Sequence, residues 1–251
     1  MPHIIEGSLV GCFHLDTTST QKVTAFVLAG GLGTRLGELT ENCPKPMIEI
    51  SGKPILLHIV ENLKKNGIYD IMISVSYMKE KIIQYFGDGS SFGVAIRYIE
   101  ENRILGTAGS LSLVDKNVVE ETILVVNGDV MTDCEYDGMI SYHSYNKSQL
   151  TVAAKNYTVE IPYGVVTLEN DQIISLVEKP KIQNLINAGI YVLNSEVIDL
   201  IPYNQFFNMT DVVEKCLNEQ MRVCPFLITN RWIDVGVPDE LTRARKTFKV
   251  Q

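Results

Sequence analysis

The spacing of apolar positions changes rhythm along the chain. "VTAFVLA" (23–29) is an unbroken apolar run of strand length, whereas "ILLHIVENLKKNG" (55–67) repeats its apolar positions at helical spacing and stops at Gly67. "DIMISVS" (70–76) reads as a second buried strand, "MKEKIIQYFG" (78–87) as a short helix and "VAIRYIEE" (94–101) as a third strand. "GSLSLVDKN" (109–117) looks helical, and "TILVVNGD" (122–129) is a fourth apolar strand that ends in an acidic residue. Beyond Leu150 the texture becomes strand-rich: "LTVAAKNY", "YGVVTLEND", "QIISLVEKP" and "LINAGIYVLN" read as short β runs separated by turn residues. Helical patterns return at "VIDLIP" (197–202) and "TDVVEKCLNEQ" (210–220), and "RVCPFLIT" and "RWIDVGVP" close the chain.

Strand alternating with helix predicts parallel strands joined by right-handed crossovers. The expected fold is α/β: a doubly wound, mixed but mostly parallel, Rossmann-like sheet with a strand-rich second half. Ligands then belong at the carboxyl ends of the strands. Residues 1–22 keep no sustained period and read as an arm or the remnant of an upstream module, ahead of one unit over 23–251. No heptad or exposed apolar stripe announces an interface, so oligomeric state stays open, a homo-oligomer included.

Composition narrows the classes. A 45% hydrophobic content with no apolar run near 18 residues and no signal-peptide pattern predicts a globular protein, with the cytoplasm as its default location and no membrane partner. A net charge of −8 argues against broad contact with nucleic acid or anionic membrane, though not against a small anion in a local cationic pocket. The five cysteines form no C-x-x-C pair and read as reduced, small hydrophobic residues. Nothing pairs the four histidines with a Ser or Cys nucleophile, and they read as structural.

Candidate chemistry gathers at "LAGGLGTRL" (28–36) and "PKP" (44–46). Glycines after a strand let backbone N–H groups approach phosphate or base atoms that a side chain would block. The dinucleotide fingerprint fails because Leu36 stands where the third glycine belongs. The P-loop fails because Thr34 and Arg35, rather than Lys and Ser or Thr, follow Gly33. What remains is a glycine turn with Arg35 just past it and Lys45 held between two prolines, a pair of cations suited to a triphosphate. Taken singly, the glycines also suit an ordinary strand-to-helix turn and Arg35 a surface salt bridge.

The stretch "LAGGLGTRLGELTENCPKPMIEISGKPIL" resembles the signature of the sugar-1-phosphate nucleotidyltransferases. The likeness continues in order through "E-x-x-x-LGTAGS", "VVNGD", "PYGVV", "EKP", "NAGIYVL" and "WIDVG", and covers Val23 to Ala244. "IPYNQFFNMTDVVEK" is especially similar to the subgroup that carries a preceding pair of CBS modules in bacterial surface-sugar pathways. The resemblance implies the nucleotide-diphospho-sugar transferase fold and attack by a sugar-1-phosphate oxygen on the α-phosphorus of a nucleoside triphosphate. It implies Mg²⁺ on Asp129 and Asp234, with Asp133 and Asp137 as turn or capping residues nearby. It gives Arg35, Lys45 and Lys179 catalytic roles, and Leu28, Ala29, Gly30, Gly31, Gly33, Thr34, Glu101, Gly106, Thr107 and Ala108 nucleotide contacts. Tyr163, Gly164, Glu178, Asn187 and Gly189 fall at its sugar-contact positions, although a turn would also suit Asn187, core packing Tyr163, and an ion pair Glu178 with Lys179.

The base follows from one residue. Glu101 stands five positions before Gly106, where uridylyl- and thymidylyltransferases of this fold resemble one another in carrying Gln. An amide matches the donor and acceptor of uracil or thymine, whereas a carboxylate only accepts and suits the adjacent N1–H and N2–H of guanine. Glu100, one residue away, would lead to the same base if it took that place, but in a strand it would face the other way. The expectation is a GTP-dependent sugar-1-phosphate guanylyltransferase. Glucosamine 1-phosphate is favoured by the subgroup's amino-sugar and nonulosonic acid pathways, legionaminic acid among them. Mannose or heptose 1-phosphate, another nucleotide, transfer to a cofactor such as molybdopterin, or a silent nucleotide-sugar sensor remain alternatives.

Overall fold

The computed structural model describes residues 22–249 together with 3–5 and 8–10, which form a short antiparallel strand pair. The remainder of the expected 1–22 arm, with Cys12 and His14, lies outside the described residues.

The elements are β1 (Val23–Leu28), α1 (Ile55–Lys65), β2 (Asp70–Val75), α2 (Lys79–Phe86), β3 (Ala95–Glu100), β4 (Thr122–Asn127), β5 (Val130–Thr132) and α3 (Tyr136–Tyr145). They continue with β6 (Leu150–Glu160), β7 (Gly164–Glu169), β8 (Gln172–Glu178), β9 (Lys181–Asn194), α4 (Met209–Asn218), β10 (Val223–Leu227), β11 (Trp232–Asp234) and α5 (Pro238–Thr247). Seven strands form one sheet in the order β10-β6-β9-β4-β1-β2-β3. The pairs β4/β1, β1/β2 and β2/β3 are parallel, β9 runs antiparallel to both β4 and β6, and β10 is parallel to β6. The expected mixed, mostly parallel α/β sheet is present.

Alternation along the central strands explains the layers. Ala25 and Val27 of β1 join Leu124 and Val126 of β4 in a core with α1, α2, α3 and α5, while Phe26 joins Ile123 and Val125 in a core with α4. Two-sided burial is why these strands read as continuous apolar runs. In α1 the buried Ile55, Leu56, Ile59, Val60 and Leu63 trace one stripe, and Gly67 (φ 76°) supplies the left-handed turn that ends it.

Three expectations need correction. "GSLSLVDKN" forms two 3-10 turns, Gly109–Leu113 and Lys116–Val118, because Val114 and Asp115 are extended between them. "VIDLIP" is likewise a 3-10 segment, Ser195–Leu200. The second-half strands are longer than short runs: β6 and β9 pair as far as Glu160 opposite Lys181, and the pairing continues through Ile161 N–H to Pro180 O (3.1 Å) and Lys179 N–H to Tyr163 O (3.2 Å) into the β7–β8 ribbon. Prolines 162 and 180 mark a kink in this ribbon rather than its end.

His58 bonds Ile50 O at 2.8 Å, and buried His143 bonds Thr151 Oγ1 at 2.8 Å and Asn194 Oδ1 at 3.0 Å, which makes both structural. The four described cysteines are free; Cys134 and Cys216 are buried, Cys43 and Cys224 only partly so. Among the described residues no helix is long and apolar enough to cross a membrane.

Candidate active site

The glycine loop leaves β1 at its carboxyl end and is fastened by contacts that admit little bulk. A Cβ on Gly33 (φ 67°) would lie 2.9 Å from Lys45 Cβ and 3.0 Å from Thr40 Cγ2, and the Thr40 hydroxyl donates to Gly33 O (3.2 Å) and Gly37 O (3.0 Å). The loop is thus folded over the Pro-Lys-Pro turn. Lys45 is buried there, and its Nζ forms an ion pair with Asp129 Oδ2 at 2.5 Å.

Asp129 follows β4, and Asp234 ends β11. The antiparallel pairing of β11 with β5 sets Asp234 opposite Val130, next to Asp129, and Val235 N–H donates to Asp129 O at 2.9 Å. The two carboxylates therefore meet although 105 positions separate them in the chain. Asp129 Oδ1 and Asp234 Oδ1 are both buried with no hydrogen-bond partner. Burial pushes the Asp234 carboxyl above the usual aspartate range, the Asp129 charge adds to this, and Lys45 and Arg35 oppose it. Arg35 reaches the same place: a Cβ on Gly236 would sit 3.2 Å from Asp234 Oδ1 and 3.4 Å from Arg35 Nη2. Two buried oxygens that lack donors are costly unless something positive is shared between them. A hard divalent cation, which takes one or two carboxylates and fills its shell with phosphate and water, fits that donor set. Among the described residues no larger acidic, His or Cys cluster forms. Asp133 Oδ2 pairs with Arg231 Nε at 2.7 Å, which counters its charge, while its Oδ1 is likewise buried without a partner.

A cleft of about 360 Å³ runs from the loop to Asp129 and is lined by Leu28, Gly30, Gly31, Gly33, Thr34, Arg35, Lys45, Glu101, Gly106 and Thr107 among others. Glu101 lies across Gly30, where a Cβ would come 2.5 Å from its Oε1, and that oxygen accepts from Ser74 Oγ. Burial raises the Glu101 carboxyl above its ordinary value, with the Ser74 hydrogen bond acting against it. Gly106 (φ 73°) and Thr107 are docked on the α4 N-terminus: a Cβ on Gly106 would lie 2.6 Å from Phe207 O, and Thr107 Oγ1 accepts from Met209 N–H at 2.9 Å. Asn208 caps α4 in a reciprocal box with Asp211, which fixes this platform. Ala29 and Ala108 are buried in the two cores and line no part of the cleft.

The family is decided by the chain as a whole. The profile described as nucleotidyl transferase matches residues 24–250. This chain belongs to the nucleotidyl transferase family. It is 32% identical to a mannose-1-phosphate guanylyltransferase of Mycobacterium tuberculosis over 90% of its own length and 64% of that protein. It is 35% identical to a UTP–glucose-1-phosphate uridylyltransferase of Synechocystis over 86% of its length and 61% of that protein. The chain thus spans about six-tenths of these curated relatives. Among solved structures, HddC from Yersinia pseudotuberculosis complexed with GMP-PN superposes with a TM-score of 0.71 at 28% identity, covering 90% of this chain and 99% of that one.

The sugar-contact candidates divide. Asn187 and Gly189 line a smaller cavity of about 110 Å³ with Val130, Trp232 and Asp234. Asn187 is also committed locally, with Oδ1 accepting from Gly189 N–H (3.0 Å) and Nδ2 donating to the Tyr191 hydroxyl (2.6 Å). Tyr163, Gly164, Glu178 and Lys179 line neither cavity and sit together at the base of the β7–β8 ribbon, where Gly164 is opposite Glu178. Lys179 (φ 47°) is exposed and, among the described residues, makes no ion pair with Glu178.

One residue escaped the sequence reading. Asn127, inside the "VVNGD" motif, lines both cavities, and its Oδ1 is buried without a partner. Gly189 makes room for it, since a Cβ there would come 2.6 Å from Asn127 Nδ2. The signal was an amide ending an otherwise apolar strand, a position where only a ligand or a turn would satisfy it.

Proposed function

We propose that residues 23–251 form a Mg²⁺-dependent sugar-1-phosphate guanylyltransferase, which transfers GMP from GTP to a sugar 1-phosphate and releases pyrophosphate. The observation that carries this reading is the Asp129–Asp234 pair, with its unpartnered oxygens, beside Lys45, Arg35 and the glycine loop. A phosphate oxygen of the sugar 1-phosphate bonds to the α-phosphorus while the bond from that phosphorus to the β-phosphate oxygen breaks. The nucleophile is already an anion, so positioning and charge neutralisation replace a strong base. Mg²⁺ held by Asp129 and Asp234 would supply charge neutralisation at the phosphates when bound. Backbone N–H groups of Gly30, Gly31, Gly33 and Thr34 cradle the triphosphate, with Gly106 and Thr107 on the opposite wall. Lys45, which neutralises Asp129 in the free protein, and Arg35 face the leaving pyrophosphate.

Glu101 accepts from the guanine N1–H and N2–H, a role supported by its place beside Gly30 on the cleft wall. The guanylyltransferase relative and the HddC complex with GMP-PN agree with guanine, while the uridylyltransferase relative keeps UTP as the alternative base. The sugar 1-phosphate, glucosamine 1-phosphate in this reading, occupies the smaller cavity, where Asn127 Oδ1 accepts from a hydroxyl or amine. Tyr163, Gly164, Glu178 and Lys179 line neither cavity in the free chain, and in this reading they meet the sugar 1-phosphate only as it binds. A grid of four nucleoside triphosphates against glucosamine, mannose, glucose and heptose 1-phosphates, read by pyrophosphate release, tests this. The account expects the highest kcat/KM for GTP with glucosamine 1-phosphate. Nucleotide binding without release in any cell of the grid would refute transfer.

A further inference from the structure

The β7–β8 ribbon carries an aliphatic face that its own chain leaves uncovered. Every residue from Val166 to Lys179 is exposed, and the two strands pair with each other and with no third strand among the described residues. The register sets Val166 opposite Leu176 and Leu168 opposite Ile173, and directly opposed residues share a face. Their exposures are 46%, 64%, 63% and 64%, and Ile174, unopposed at the irregularity between the two pairs, is 58% exposed. The expectation that no apolar stripe is exposed is therefore corrected here: "VVTLE" and "IISLV" read as core strands, but no layer packs over them.

A two-stranded ribbon is marginal in water unless its apolar face is covered. The four opposed side chains leave roughly 400 Å² of aliphatic surface open, about the largest patch an ordinary monomer shows. With Ile174 added, the same surface on two copies totals roughly 1,000 Å², about the least that a specific interface needs; Val177, opposite Val165, faces the other side of the ribbon. A nucleic acid or an anionic membrane is disfavoured, because Glu169, Asp171 and Glu178 flank the face and the chain carries a net charge of −8. A second copy offers the same aliphatic residues and can meet the face through a two-fold axis.

We propose that Val166, Leu168, Ile173 and Leu176 form the isologous contact of a homodimer, and that this contact steadies the ribbon base that carries Tyr163, Gly164, Glu178 and Lys179. The second half rests on the sugar-site reading given above; the first does not. The test is sedimentation velocity on the full chain and on the double variant Leu168→Lys, Ile173→Lys, both substitutions at exposed ribbon positions. The wild type should sediment as a dimer of the 28.1 kDa chain at micromolar concentration and the variant as a monomer with an unchanged circular dichroism spectrum. A monomeric wild type, or a variant that dimerises equally, overturns the proposal. In the variant, KM for the sugar 1-phosphate should rise several-fold while GTP affinity is unchanged. An unchanged KM in a monomeric variant removes the steadying role alone, and a dimeric wild type that turns over no substrate pair defeats the transferase reading while leaving the dimer standing.

Discussion

At the scale of single residues, the site is held in an electrostatically costly state. Two carboxylates face one another with an oxygen each unpartnered, and Asp234 is held above its ordinary range by burial and by Asp129. Removing one charge should relieve the fold and abolish the chemistry. Asp234→Asn is expected to raise the melting temperature at neutral pH by a few degrees while lowering turnover by about a thousandfold or more, the scale on which losing a key electrostatic contact acts. Thermal melts and pyrophosphate assays on the same preparation check both parts. Asn127→Leu removes an unsatisfied buried amide oxygen and should leave the melting temperature equal or higher, because replacing an unpaired polar group by an apolar one of similar size is neutral or stabilising. If the amide serves the sugar, KM for the sugar 1-phosphate rises about tenfold or more, the equivalent of one hydrogen bond to a buried group. Glu101→Gln should move preference from GTP toward UTP or dTTP, and retained GTP selectivity would show that guanine is read elsewhere. Asp129, Asp234, Arg35 and Lys45 were legible because their motifs place charge at strand ends and rigid turns. Asn127 was hidden in a motif valued for its aspartate, and Ala29 and Ala108, nucleotide contacts in the family resemblance, have their side chains in the two cores.

At the scale of elements, β1 and β4 must approach closely at their carboxyl ends for the loop and Asp129 to meet. Gly128 permits this: its N–H donates to Leu28 O at 2.9 Å, and a Cβ there would lie 2.5 Å from that oxygen. Gly128→Ala should lower unfolding free energy by about 1–3 kcal/mol through forced backbone displacement, measured by urea titration. The α3 helix is tied to β6 and the end of β9 through His143, whose burial holds its pKa below the ordinary 6.5. A depressed folded-state pKa means that the stability it carries is complete above pH 6.5 and is lost as pH falls through the folded value. Unfolding free energy should therefore decline on acidification below pH 6.5, and His143→Gln should flatten that part of the profile. The central strands and α1 were legible because two-sided and one-sided burial leave distinct periods. The 3-10 segments at 109–118 and 195–200 were not, since their apolar content suits any buried turn, and the ribbon kink at Pro162 and Pro180 looks in sequence like turns between separate short runs.

At the scale of the whole molecule, the sheet order does the assembling. Placing β4 between β1 and β9, and returning the chain from α4 through β10 to β11 beside β5, brings Lys45, Asp129 and Asp234 to one rim. The rim was legible, because a parallel sheet exposes its carboxyl ends at a common edge. What the ribbon packs against was not, since exposure depends on layers that lie outside the local pattern. The central claim is that the two carboxylates jointly hold the metal that transfer requires. It is tested most directly by Mn²⁺ binding, followed by electron paramagnetic resonance in the presence of GTP, for wild type and for folded Asp129→Asn and Asp234→Asn variants. The account predicts one tight, GTP-dependent site in the wild type that either substitution weakens by about tenfold or more, as loss of a ligand interaction requires. Equal Mn²⁺ affinity in all three proteins would contradict it.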